Sequence, residues 1–220
     1  MSADWPLDED GAWREFVAAP GASRPALFLD RDGIIVDEVE YLSEVGKVAL
    51  CPGVAAMIAQ ANAAGIAVVV VTNQSGIARG YYGWAEFAAV QEEIARRLRA
   101  EGAFWDAVMA APFHPEGQEP WRHADHPTRK PNPGMLLAAA HGLGLDLGAS
   151  WILGDRATDI QAGRRAGLAG GIFVGDGYDA GEAVRALAEA AHDYTVLRAP
   201  DTAAAFAALP LLAGPPTHAA

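Results

Sequence analysis

Across 220 residues, 28 Asp and Glu stand against 16 Lys and Arg, a formal net charge of −12 at pH 7. Phosphate backbones and anionic lipids repel so acidic a chain, and neither nucleic acid nor a membrane is expected as a partner. Hydrophobic residues at 51% with charged ones at 20% exclude a disordered chain and suffice for one domain with a sizeable core.

The lone cysteine, Cys51, excludes an intramolecular disulfide and any zinc site built from several thiolates. Residues 1–23 are acidic and lack a basic start followed by an apolar stretch, so they are expected to be an N-terminal extension rather than a signal peptide. From about Ala26 strand-like and helix-like runs alternate. That is the pattern of parallel strands joined by crossover helices, so the expected class is α/β, a Rossmann-like parallel sheet flanked by helices.

In chain order, Ala26 to Asp30 predicts a first strand buried on both faces. Pro52 and Gly65 bracket a helix with Val54, Met57, Ile58 and Ala61 on one face, and Ile66 to Thr72 predicts a second strand. Trp84, Phe87, Ala88, Ile94 and Leu98 stripe a helix ending near Gly102, and Ala107 to Phe113 is a weaker strand. Pro112 to Pro133 is a long loop, and loops of that length are usually functional. Asn132 as N-cap, Pro133 as first helical residue and Gly142 after the end predict the next helix. Trp151 to Leu153 follows as a strand, and Thr158 and Gln161 have capping-box spacing for a helix that Gly167 closes. Gly171 to Val174 and Tyr194 to Leu197 complete the strands, with helical stretches over Ala180 to Ala191 and Asp201 to Leu211. The domain is expected to span 24–213, with a tail over 214–220. No large insertion separates the strands, so no cap domain is expected. The longest strongly apolar run, Ile66 to Val71, is too short to span a bilayer, and a cytoplasmic protein is expected.

The first strand ends in Asp30-Arg31-Asp32-Gly33. On an extended chain residues i and i+2 share a side, so both carboxylates face one spot beyond the strand's carboxyl end, where open α/β sheets bind ligands. Two carboxylates so close need a cation between them or a shared proton, which suits magnesium with an acid/base partner. The second strand ends in Thr72-Asn73-Gln74-Ser75-Gly76, a set of donors for phosphate oxygens. Arg129 and Lys130 precede a helix, and the WILGD strand ends in Asp155 with Asp159 nearby. Each has an ordinary reading alone: a solvated acidic turn, a Ser/Asn/Gly turn, a surface lysine, a helix cap. Their joint order (acid pair, hydroxyl, lysine, acid pair) is what points to phosphoryl chemistry.

DRDG after an apolar strand, VVVVTNQSG, RKPNPGM and ILGDRATD together resemble the four motifs of the haloacid dehalogenase superfamily of phosphatases, over about residues 26–175. TNQSGIARG followed by RKPNPGM is similar to the branch of D-glycero-D-manno-heptose 1,7-bisphosphate 7-phosphatases, with histidinol-phosphate phosphatases next. The resemblance implies a small phosphorylated metabolite as substrate, Asp30 as nucleophile and Asp32 as general acid/base. It implies that Thr72 and Lys130 hold the transferring phosphoryl oxygens, and that Asp30, the Asp32 carbonyl and Asp155 hold Mg²⁺, with Asp159 orienting Lys130 or the ligands. Glu38, Val39, Glu40, Tyr41, Asn73, Gln74, Ser75, Arg129 and Arg156 are implied to line the substrate. Arg79 joins them only by lying in the same phrase.

Departures from that pattern accompany it. Ile34 follows DRDG, Arg156 replaces a lysine, and Glu38 and Glu40 add negative charge where a second phosphate would sit. Members of the branch carry Cys-x-His and Cys-x-Cys in a zinc loop, and the matching positions here are Ala111, Phe113, His126 and Thr128. No structural zinc is expected, because only His126 is a usual ligand. His114, His123 and Asp125 offer a second set of donors beside His126, in a spacing that fits no closed motif.

Overall fold

A computed structural model describes residues 5–179 and 181–212 of the chain. Its sheet consists of Trp13–Phe16 (β1), Ala26–Leu29 (β2), Ala67–Asn73 (β3), Ala107–Ala111 (β4), Trp151–Gly154 (β5), Gly170–Val174 (β6) and Thr195–Ala199 (β7). The order is β1-β4-β3-β2-β5-β6-β7, with β1 antiparallel to β4 and every other pair parallel. The continuous apolar character of β2 to β6 follows from burial on both faces, and the pleat sorts their side chains in alternation. Leu27, Leu29, Val68 and Val70 face one layer, built by Val54–Ala63 (α1), Trp84–Ala100 (α3) and Thr202–Ala207 (α7). Ala26, Phe28, Val69 and Val71 face the other, built by Gly134–Leu143 (α4), Ala157–Ala166 (α5) and Glu182–Leu187 (α6). No described helix is long and apolar enough to cross a membrane.

Several boundaries differ from the sequence expectations. Part of the extension assigned to residues 1–23 is β1, pairing Trp13 with Ala110 and Phe16 with Ala107. Trp13 anchors it by packing 5.5 Å from Trp84 and 5.1 Å from Phe87, and the chain of aromatic contacts continues from Trp84 to Trp121 of the long loop. Only α4 starts after Pro133; Asn132 is not its cap, because its amide donates to Asp125 and to the His126 carbonyl instead. Gly142 lies inside α4, and Gly144, in the left-handed region at φ 72°, ends it. In α5 the N-cap position is Arg156, whose N–H donates to the Asp159 carboxylate three residues on at 3.0 Å, in place of the Thr158–Gln161 pair. Gly167 closes α5 as expected. A four-residue helix, Ser75–Ala78 (α2), interrupts the loop after β3. The tail over 214–220 and residue 180 lie outside the described residues.

Candidate active site

The central strands β3, β2 and β5 lie side by side, and the chain runs from β2 toward β3 and β4 on one side and toward β5, β6 and β7 on the other. The connections therefore leave a crevice beyond their carboxyl ends. Asp30 follows β2 and is still held in the sheet by its N–H on the Leu153 carbonyl at 3.0 Å. Gly33, at φ 79°, then turns the chain. A Cβ there would sit 2.7 Å from an Asp155 carboxylate oxygen, so glycine is what lets the end of β5 approach the first acid pair.

Lys130 closes the centre of this crevice. Its ammonium, 2% exposed, lies 2.8 Å from Asp30 Oδ1 and 2.6 Å from Asp159 Oδ1, and donates to the Val71 carbonyl at 2.7 Å. Burial alone would lower its pKa, but Asp159 and Asp30 outweigh it and raise the value, so Lys130 stays charged. Asn73 fixes the backbone that delivers it, donating to the Lys130 carbonyl and accepting from the Lys130 N–H, both at 3.0 Å.

Asp32 is held from two sides. Arg31, buried at 1% exposure over the Phe87 ring, donates to both Asp32 oxygens at 3.0 Å, and Gln74 Nε2 donates to Oδ2 at 3.1 Å. The same Gln74 amide group donates to Thr72 Oγ1 at 2.8 Å, and Gln74 Oε1 accepts from the Tyr82 hydroxyl. Alternation along an extended strand would point Arg31 away from the acid pair, so no local pattern announces this contact.

The residues fit a hard divalent cation. Oxygens of Asp30, Asp155 and Asp159 lie within 4.8 Å of one another, and Asp155 Oδ1 is buried without a hydrogen-bond partner. Burial, then the charges of Asp30 and Asp159, push the Asp155 pKa up to about 8. Burial raises Asp159 to about 6 even though Lys130 holds it down. Asp159 is committed to the ion pair with Lys130 and to the Arg156 N–H, so Asp30 and Asp155 are the carboxylates most readily offered to a metal.

These groups open into a cavity of about 420 Å³ that is also lined by Glu38, Val39, Glu40, Tyr41, Asn73, Gln74, Ser75, Arg129 and Arg156. Tyr82, Thr158, Tyr178 and Glu182 line it too, and sequence reasoning identified none of them as site residues. Arg129 is anchored by donating to the Phe113 carbonyl at 2.6 Å, and burial lowers its pKa. Tyr41 adopts φ 53° and packs its ring 4.5 Å from Tyr81. Thr72 sits behind Gln74 at the end of β3 without lining the cavity. Arg79, an expected substrate contact, does not line it either: its guanidinium is turned to His114 at 3.0 Å and Glu116 at 3.5 Å.

The positions matching the zinc loop are filled by other contacts. Ala111 ends β4, the Phe113 ring stacks on His126 with centroids 3.5 Å apart, and His126 Nδ1 is 2.8 Å from Thr128 Oγ1. His114 pairs with Arg79, and Asp125 accepts from Asn132. Among the described residues no three donor atoms converge around His126.

A family model described as HAD-hydrolase-like matches residues 127–201. A D-glycero-beta-D-manno-heptose-1,7-bisphosphate 7-phosphatase of Mesorhizobium japonicum is 49% identical over 202 residues, 90% of this chain and 93% of the relative. A crystal structure from Mesorhizobium loti, of a HAD-like phosphatase candidate, superposes with a TM-score of 0.83 at 45% identity, covering 95% of each chain. The D,D-heptose 1,7-bisphosphate phosphatase of B. bronchiseptica, complexed with magnesium and phosphate, superposes with a TM-score of 0.69 at 28% identity, covering 84% of this chain and 97% of that one. Shared sequence over nearly the whole length, a shared sheet and the four motifs gathered at one sheet edge make this chain a phosphatase of the haloacid dehalogenase-like hydrolase family.

Proposed function

We propose that this phosphatase removes the 7-phosphate of a D-glycero-D-manno-heptose 1,7-bisphosphate through an aspartyl-phosphate formed on Asp30, with Mg²⁺ as cofactor. The observation that carries the reading is the buried Asp30–Lys130–Asp159 ion triad opening onto a cavity with Asp32 and two further cations, Arg129 and Arg156. Asp30 Oδ1 is bound by Lys130, leaving its second oxygen to attack phosphorus. As the Asp30–phosphorus bond forms and the bond to the sugar oxygen breaks, Asp32 gives its proton to that oxygen. It then takes a proton from the water that attacks the aspartyl-phosphate, releasing inorganic phosphate and restoring Asp30. Lys130 serves the charged phosphoryl oxygens, while the Thr72 hydroxyl, which lies behind Gln74 and does not line the cavity, holds the Gln74 amide in place. Asp30, the Asp32 carbonyl and Asp155 would hold the metal, which when bound supplies positive charge against the transferring group.

A second phosphate is served by Arg129 and Arg156. Of the two acids of the substrate loop, Glu38 is engaged by Tyr178 at 2.6 Å and Arg156 at 3.5 Å, which offsets its share of the negative charge there, while Glu40 lines the cavity as well. The long loop carries no structural zinc in this reading, its order coming from the Phe113–His126–Thr128 contacts and from Trp121.

Phosphate release measured over heptose bisphosphates, sugar monophosphates and histidinol phosphate, with and without Mg²⁺, tests the reading. A heptose bisphosphate is expected to have the highest kcat/KM, with Mg²⁺ required and with Asp30→Asn inactive but folded. Preference for histidinol phosphate would overturn the substrate, and a turning-over Asp30→Asn would overturn the covalent step.

A further inference from the structure

Tyr178 belongs to none of the four motifs. It lies on the loop after β6, where Gly177, at φ 72°, turns the chain and leaves no space for a Cβ beside Glu182. The turn carries a largely exposed ring, 61% accessible, back over the mouth of the cavity. There the Arg156 guanidinium carbon sits 3.0 Å over the ring centroid, and the Tyr178 hydroxyl donates to Glu38 Oε1 at 2.6 Å. Glu38 also faces Arg156 at 3.5 Å, closing a three-membered contact between loops 140 residues apart.

We infer that Tyr178 is a positioning residue for the substrate's non-reacting end, holding Arg156 flat at the rim and covering the charge of Glu38. This rests on the reading of the cavity as a sugar-phosphate site. A long guanidinium on an exposed rim otherwise samples many rotamers, and stacking removes that freedom before the substrate arrives. The hydroxyl's hydrogen bond to Glu38 keeps a carboxylate from standing bare where an anionic substrate must enter. The hydroxyl remains protonated, since that bond and burial raise its pKa to about 12.

The test uses Tyr178→Ala and Tyr178→Phe of the full chain, alone and combined with Arg156→Ala. The Arg156 Nε–H resonance, assigned with Arg156→Lys, is expected to be shifted by the ring current in the native protein and in Tyr178→Phe, and to lose that shift in Tyr178→Ala. For whichever sugar phosphate is turned over best, Tyr178→Ala should raise KM about tenfold with kcat lowered less than about threefold. Tyr178→Phe should raise it about threefold. In the Arg156→Ala background Tyr178→Ala should add little, because the two losses are one. An unshifted native resonance, an unchanged KM in Tyr178→Ala, or fully additive losses would each overturn the inference. A native enzyme that prefers another sugar phosphate would overturn the heptose reading alone, since the resonance and the coupling are measured all the same.

Discussion

Replacing Lys130 by methionine removes the one ammonium that faces both Asp30 and Asp159, at 2.8 and 2.6 Å, while keeping an unbranched side chain one atom shorter. Two consequences follow from its 2% exposure. The transferring phosphoryl group loses a buried charge in a site shielded from water, a change of the kind that costs about a thousandfold in kcat, or about 4 kcal/mol. The fold is left with two buried carboxylates lacking their partner, and breaking a buried pair on one side costs about 3–5 kcal/mol. That second loss depends on pH. Asp159 is pushed up to about 6 by burial even with Lys130 opposing, and without Lys130 its folded pKa rises further above its unfolded one. The folded variant then binds more protons than the unfolded chain through this range, so its stability falls as pH rises and recovers toward pH 5. Urea unfolding of the native protein and Lys130→Met in EDTA at pH 5.5 and 8, followed by circular dichroism, measures the stability. Phosphate release under Mg²⁺ measures the activity. A variant within tenfold of native kcat, or one whose stability deficit is the same at both pH values, would refute the placing of this charge at the centre of site and fold.

Asp32→Asn is expected to lose far more activity on a sugar phosphate, whose alkoxide needs a proton, than on an aryl phosphate with a good leaving group; equal losses would make Asp32 a structural residue only. For the metal-free native protein, the Asp155 carboxyl held up to about 8 in the fold lowers stability as pH rises from about 5 to 8, and millimolar Mg²⁺ should flatten that slope. A thermal melting series at several pH values, with and without Mg²⁺, checks it, and identical slopes would contradict the cation site. Elemental analysis of protein purified without chelator should find no stoichiometric zinc. One tightly held zinc per chain, with unfolding on its removal, would show that His126 and its neighbours replace the missing thiolates.

Much of this was legible locally. Uninterrupted apolar runs such as Val68 to Val71 announce strands buried on both faces, and the left-handed Gly167 announces the end of α5, because each signal depends only on neighbours along the chain. Asp30, Thr72 and Asp155 lie at or next to strand ends, where the class of fold collects ligands. The start of α5 is ambiguous locally because Asp159, Thr158 and Gln161 all carry capping chemistry, and the burial of Asp159 against Lys130 accompanies the pairing that the fold adopts.

The sequence by itself determined the α/β class, the succession of strands along the chain from β2 onward and the types of group at the strand ends, since periodicity and strand-end residues are properties of short segments. Which groups touch was decided only by the tertiary structure. Lys130 reaches Asp30 across 100 residues of chain, Trp13 makes β1 a strand by finding Ala110, and Tyr178, after β6, finds Glu38 across 140 residues. These pairings are selected by crossovers and packing that bring distant segments together, and no local pattern in the chain encodes the partner at the other end.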